Sequence, residues 1–308
     1  MRATVSVAKE RQDIGNVLDP GRETRHFSIA PLSILKGGCL MLGAIVGDVV
    51  GSRFEHSNIK SKDFELFTSF CRLTDDSVMS LAVAKAILEC DEEYQDLGAK
   101  SVKWMQCLGR KYPYAGYGGK FSRWLTSENP KPYGSFGNGA AMRISACGFA
   151  ARSIDEAKAL SRAVTEVSHN HPESLKAAEA IACAIFMGMQ GGSISAIRDF
   201  ITSQYYAIEF RLDDIRDSYT FNVSCQGSVP QAFEAFFEST GFEDAIRKAV
   251  SIGGDSDTIA AITGGMAEAC YGVPNDLRQK VLGFLPDDLT RILTEFEERY
   301  PAKVSDAS

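Results

Sequence analysis

Long apolar runs are scarce in this chain of 308 residues. The most apolar window, Cys39–Val50, is short and is broken by Gly43, Gly47 and Asp48, so nothing in the sequence spans a bilayer. The first 36 residues are basic and polar, with no continuous apolar core of the secretory kind. Glu10, Asp13, Asp19 and Glu23 stand among their basic residues, which argues against a transit peptide. A positive balance is also missing: 33 Lys and Arg against 40 Asp and Glu give a net charge of −7. Non-specific nucleic-acid binding runs on clustered cations, so that class is disfavoured, as is an anionic membrane surface. A small phosphorylated ligand held by backbone amides remains compatible.

Several chemistries lack their signatures. The eight cysteines form no CxxC or other metal-type pair, and Cys90, Cys183 and Cys270 sit in apolar helical runs. They read as reduced core residues, which points to a reducing, cytoplasmic compartment. No Gly-x-Ser-x-Gly elbow is present, and no cysteine has an evident base partner. There is no Gly-Lys-Ser/Thr loop and no strand–helix–strand rhythm.

What is present is helical. Ser77–Glu89 and Ser174–Met189 are apolar on nearly every side, the second opening on Pro172 and Glu173. Ile259–Tyr271 is a third such run, closed by Gly272 and Pro274. Gln231–Glu238 and Phe242–Ser251 also read as helices. The expected class is all-α: one domain over residues 38–302 as an orthogonal helical bundle, with an extension at 1–37 and a frayed end at 303–308. Oligomeric state has no sequence signal, and a monomer is the default.

Two acidic clusters stand at helix entrances. Leu73-Thr74-Asp75-Asp76-Ser77 precedes the first apolar helix, and Gly253-Gly254-Asp255-Ser256-Asp257-Thr258 precedes the third. Capping alone would explain one such residue per helix. Two acids and a threonine at each of two buried entrances call for a neutralising group, either arginine or a divalent cation. All the donors are oxygen, which selects magnesium, calcium or manganese, and the spacing is not that of an EF-hand. Two glycine-rich segments, Tyr114–Gly119 and Gly134–Gly139, allow close backbone approach to a ligand, or are ordinary turns. His169 and His171 lie just before the second helix without a third zinc ligand, so a ligand contact or loop-ordering role is expected. His56 follows Glu55 and reads as incidental.

Taken in order, Gly43–Glu55, Leu73–Ser77, Ser135–Arg143, Ser168–Pro172 and Gly253–Thr258 resemble the ADP-ribosylglycohydrolase family, with Tyr112–Leu125 and Val223–Pro230 similar to a common microbial branch. The resemblance covers about residues 38–300 and implies an all-α fold with a binuclear magnesium centre, sometimes manganese. Matched by motif, it implies Thr74, Asp75, Asp76, Asp255, Asp257 and Thr258 as metal ligands. Glu55 matches an acidic residue beside the metals that is linked to catalysis, with Asp75 or Asp255 orienting water. Gly116, Gly118, Gly119, Ser135, Gly137, Asn138 and Gly139 match backbone cradles for a diphosphate and ribose, and His169 matches a histidine contacting ADP-ribose. Phe136 stands where the family often has tyrosine. The implied reaction is hydrolysis of an α-linked ADP-ribosyl conjugate, on a protein side chain or a small molecule such as α-NAD or O-acetyl-ADP-ribose. Two other readings use the same residues. A metal-dependent phosphohydrolase would yield AMP, and a non-catalytic ADP-ribose-binding protein would show eroded acidic clusters, whereas both clusters are intact.

Overall fold

The computed structural model describes residues 41–301, so the extension at 1–37 and the end at 303–308 lie outside the described residues. Those residues form fourteen α-helices and one 3-10 turn (Asn138–Ala140), with no strand beyond an isolated bridge between Gly137 and Ser224. The first half holds α1 (Leu42–Gly51), α2 (Asp75–Leu88), α3 (Leu97–Lys111), α4 (Gly119–Thr126), α5 (Ser145–Ala150), α6 (Ile154–Thr165) and α7 (Pro172–Met189). The second holds α8 (Ile194–Gln204), α9 (Leu212–Ile215), α10 (Cys225–Phe237), α11 (Phe242–Ser251), α12 (Ser256–Tyr271), α13 (Asn275–Leu282) and α14 (Asp287–Arg299). The all-α expectation holds, and none of the described helices is long and apolar enough to cross a membrane.

Glycine spacing decides how the two central helices meet. Gly43, Gly47 and Gly51 recur every fourth residue and so share one face of α1. A Cβ on Gly47 would sit 2.0 Å from the Ala260 carbonyl oxygen, and one on Gly43 2.2 Å from that of Gly264. The backbones of α1 and α12 therefore touch, which side chains at these positions would prevent. A Cβ on Gly51 would lie 2.5 Å from the Asp257 Cα, so the same face brings the end of α1 onto the start of α12. Glu268 of α12 fixes the other end, accepting from the Gly43 and Leu42 amides at 2.8 and 3.2 Å. Burial pushes the Glu268 carboxyl up to about 8.

The predicted central helices start earlier than the apolar pattern suggests, because their caps lie upstream. Thr74 accepts from the Asp76 amide, so α2 begins at Asp75. His171 accepts from the Glu173 amide at 3.2 Å, so α7 begins at Pro172. The clustered acids thus ride on first turns rather than on preceding loops. The other early start is α10, which runs through Pro230 from a cap at Ser224, whose hydroxyl accepts from the Gly227 amide at 3.1 Å. Around α1 and α12, the helices α2, α7 and α10 bury nearly their whole apolar surface; each fully buried Leu, Ile or Val contributes about 1.5–3 kcal/mol. Cys71, Cys90, Cys147, Cys183 and Cys225 are buried thiols as expected, while Cys107 is exposed.

Candidate active site

The entrances of α2 and α12 open on one cleft of about 350 Å³. Asp76 and Asp257 line it and, with Asp48 of α1, bring one carboxylate oxygen each within 4.8 Å of one another. Glu55, Asp255 and Asp257 form a second such triad, so Asp257 belongs to both. The two acidic stretches, far apart in sequence, do converge.

Ordinary ion pairing does not account for these charges. Only Glu55 has cationic neighbours, Arg72 at 3.5 Å and His56 at 3.7 Å. His56 is therefore not incidental to the site geometry, although its own ring is exposed. Asp76 Oδ1 is buried and has no hydrogen-bond partner. Burial, and then the Asp48 and Asp75 charges, hold the Asp76 carboxyl well above the usual range. Burial followed by Asp76 and Asp255 does the same to Asp257. Asp75 is pushed up to about 8, by burial first and Asp48 second. Glu55 is raised by burial, with His56 working the other way. An orphaned buried oxygen amid mutually repelling carboxylates is the donor set that a hard divalent cation fits.

Asp48 carried no role in the sequence reading, because a lone acid in an apolar run gives no pattern. It accepts from the Thr74 hydroxyl at 2.6 Å, from the Thr74 and Ser77 amides at 3.1 Å each, and from the Ser77 hydroxyl. Fully buried and so engaged, it ties α1 to the first turn of α2 and aims Thr74 and Asp76. Asp75 lies outside both triads but lines the cleft. Asp255 accepts from the Asn138 side chain at 2.7 Å, which couples the second glycine loop to the acids.

Backbone forms the opposite wall. Gly116 has φ 118°, and a Cβ there would lie 3.0 Å from Asp75 Oδ1, so both conformation and space require glycine. Gly118 and Gly119 lead into α4, while Ser135, Gly137, Asn138 and Gly139 line the facing loop. That loop is held by the Asn138 amide donating to the Val223 carbonyl at 2.8 Å. His169 closes the wall, its Nε2 lying 3.4 Å from where a Gly139 Cβ would be.

Behind His169 stands Arg143, fully buried. Its Nη2 donates to Ser168 Oγ at 2.8 Å, while Nε and Nη1 find no partner. Ser168 Oγ is 2.8 Å from His169 Nδ1. Arginine can only donate, so the serine proton goes to Nδ1, its one acceptor, and the histidine proton sits on Nε2 at the cleft. Burial, then the Arg143 charge, holds the His169 pKa well below its usual value, so the ring is neutral. Arg143 and Ser168 had been read only as motif letters.

Of the residues expected from sequence, all line the cleft except two. Thr74 is buried behind it, and Phe136 is half exposed with its ring 5.5 Å from that of His171. Lys120, Phe121, Tyr133, Met142, Phe221 and Val223 also line it and were missed, since scattered loop residues carry no periodic signal.

Together, a helical bundle with unpaired carboxylates on two converging first turns and glycine loops opposite defines a metal-site hydrolase of the all-α class. The ADP-ribosylglycohydrolase family profile matches residues 37–304, and the chain belongs to that family, whose members are hydrolases. Among curated proteins it is similar to the ADP-ribosylhydrolase ARH3 of Mus musculus, 23% identical over 331 residues, covering 82% of this chain and 88% of that one. The human ARH3 is 24% identical over 336 residues, covering 82% and 90%. Among solved structures, one described as an ADP-ribosylglycohydrolase-related protein complex superposes with TM-score 0.63 at 22% identity, covering 84% of this chain and 95% of the other. It shares the fold.

Proposed function

We propose that this hydrolase is magnesium-dependent and cleaves the α-linked N- or O-glycosidic bond at the distal ribose of an ADP-ribosyl conjugate, releasing ADP-ribose. The observation that carries the reading is the pair of carboxylate triads sharing Asp257, with an orphaned Asp76 oxygen and no cation paired to either aspartate. Asp75, Asp76, Asp255, Asp257, Thr74 and Thr258 would hold two magnesium or manganese ions. Bound there, the metals would supply Lewis acidity for fixing sugar hydroxyls and acidifying water.

This chain's own residues do the rest. Glu55, at the cleft with a raised pKa, is suited to move a proton between water and the leaving group. Cleavage builds oxocarbenium character at the anomeric carbon, and the surrounding carboxylates favour that positive charge. The Gly116–Gly119 backbone and the start of α4 offer amides to the diphosphate. His169 donates through Nε2 to an anionic oxygen, in a tautomer held by Ser168. Asn138 orients Asp255.

The substrate would be an ADP-ribosylated protein side chain, or a small molecule such as α-NAD or O-acetyl-ADP-ribose, met by a monomer in the cytoplasm. Mass spectrometry of products from a panel of such conjugates, with and without magnesium, tests the reading. Intact ADP-ribose appearing only with metal is expected. AMP as the product would assign cleavage to phosphorus, and no turnover on any conjugate would leave only binding.

A further inference from the structure

Beside the cleft lies a second cavity of about 340 Å³, open to solvent. Lys120, Arg123 and Lys131 line it, together with Trp124, Ser127 and Tyr133. All three cations are exposed, and none makes an ion pair or a side-chain hydrogen bond among the described residues. Elsewhere the chain pairs its surface cations freely, as in Lys103 with Glu89, Lys111 with Asp288 and Arg152 with Glu156. Three unpaired cations around one hollow, on a protein of net charge −7, mark a site for an anion.

Its place relative to the cleft says which anion. Lys120 and Tyr133 line both cavities, whereas the clustered aspartates line only the cleft. The wall runs outward from Gly116 at Asp75, through Gly119 and Lys120, to Arg123 and Trp124 on the next turn of α4. At 1.5 Å per residue, Arg123 lies roughly 6 Å along the helix from Gly119. A ligand with its reacting ribose at the aspartates and its diphosphate on the glycine loop would extend its adenosine toward Arg123 and Lys131.

We infer that this basic cavity is a subsite for a phosphate ester carried on the adenosine end of the ADP-ribosyl ligand. The inference rests on the ADP-ribosyl reading above and adds a substrate class to it, the phosphorylated ADP-ribosyl conjugates. The contacts are solvent-exposed point charges, so they contribute modestly each and are screened by salt.

Calorimetric titration of the full chain in magnesium with ADP-ribose and with ADP-ribose 2′-phosphate tests this. At low salt the phosphorylated ligand is expected to bind about three- to tenfold more tightly, the range for two exposed ion pairs. The preference should fade at about 0.5 M salt. In the variant carrying Arg123→Gln and Lys131→Gln, neither residue of which lines the cleft, the preference should vanish while ADP-ribose affinity stays within about twofold. Equal affinities in the native protein, or a preference that survives both substitutions, would overturn the subsite and leave the hydrolase reading standing. Failure of both ligands to bind would overturn both.

Discussion

The two sides of the cleft are electrostatic opposites. On one, Asp76, Asp255 and Asp257 face each other without a paired cation. On the other, Arg143 is a fully buried cation facing no carboxylate, only Tyr133 and the thiols of Cys147 and Cys225. A protein selected for stability alone would have paired these charges with each other or done without them. Keeping them apart costs the free chain stability and leaves room for what completes each side: divalent cations at the acids, a diphosphate at the arginine and histidine.

The sharpest way to break the acidic side is Asp257→Asn, since that residue serves both triads. Turnover should fall about 10³-fold, the scale of removing a charge-stabilising group, and the magnesium requirement should rise with it. Steady-state kinetics across a magnesium series reads both. Unchanged turnover at limiting magnesium would remove Asp257 from the ligand set. Glu55→Gln separates proton transfer from binding: kcat should drop about 10²- to 10⁴-fold while ADP-ribose affinity is retained. Equal losses in kcat and affinity would make Glu55 a binding residue instead.

The metal-free protein carries a pH signature of its acidic side. Asp75 titrates near 8 in the fold, against about 3.9 in an unfolded chain. Between those values the native state holds a proton that the unfolded state has released, so stability declines as pH rises through this window. Melting temperature in chelator should therefore fall from about pH 5 to about pH 8, and magnesium should reverse the part due to the cleft. Glu268, also raised to about 8 but at the far end of α1, supplies a decline that magnesium leaves in place and Glu268→Gln removes. A melting curve flat with pH in chelator would contradict the account of buried, unpaired acids.

The smallest effect belongs to the basic side. Ser168→Ala frees His169 Nδ1, so both tautomers become populated, which nitrogen NMR of the ring detects. ADP-ribose affinity should weaken about three- to tenfold, one hydrogen bond's worth. A native ring already protonated at Nδ1 would reverse the assignment.

How far the sequence revealed these two sides follows from how each is encoded. Thr74–Asp76 and Asp255–Thr258 are contiguous, so an excess of acids over capping needs is visible in the string. The all-α class was visible too, because α2, α7 and α12 are apolar on every face. Asp48, Arg143 and Ser168 were not, since each acts across the fold, 26, 21 or 25 residues from a partner that only tertiary packing supplies. The fourfold glycine spacing in α1 was legible as letters, but its meaning, backbone contact with α12, depends on a helix more than two hundred residues away. Phe136 shows the limit of motif matching: the position aligns, yet its ring turns to His171 rather than to the cleft wall.

Titrating the chelator-treated chain with magnesium, or with manganese followed by electron paramagnetic resonance, tests directly whether the converged carboxylates are a metal centre. Two ions per chain are predicted, with binding lost or reduced in Asp257→Asn. No saturable binding by the native protein at millimolar metal, or binding indifferent to Asp257, would contradict it.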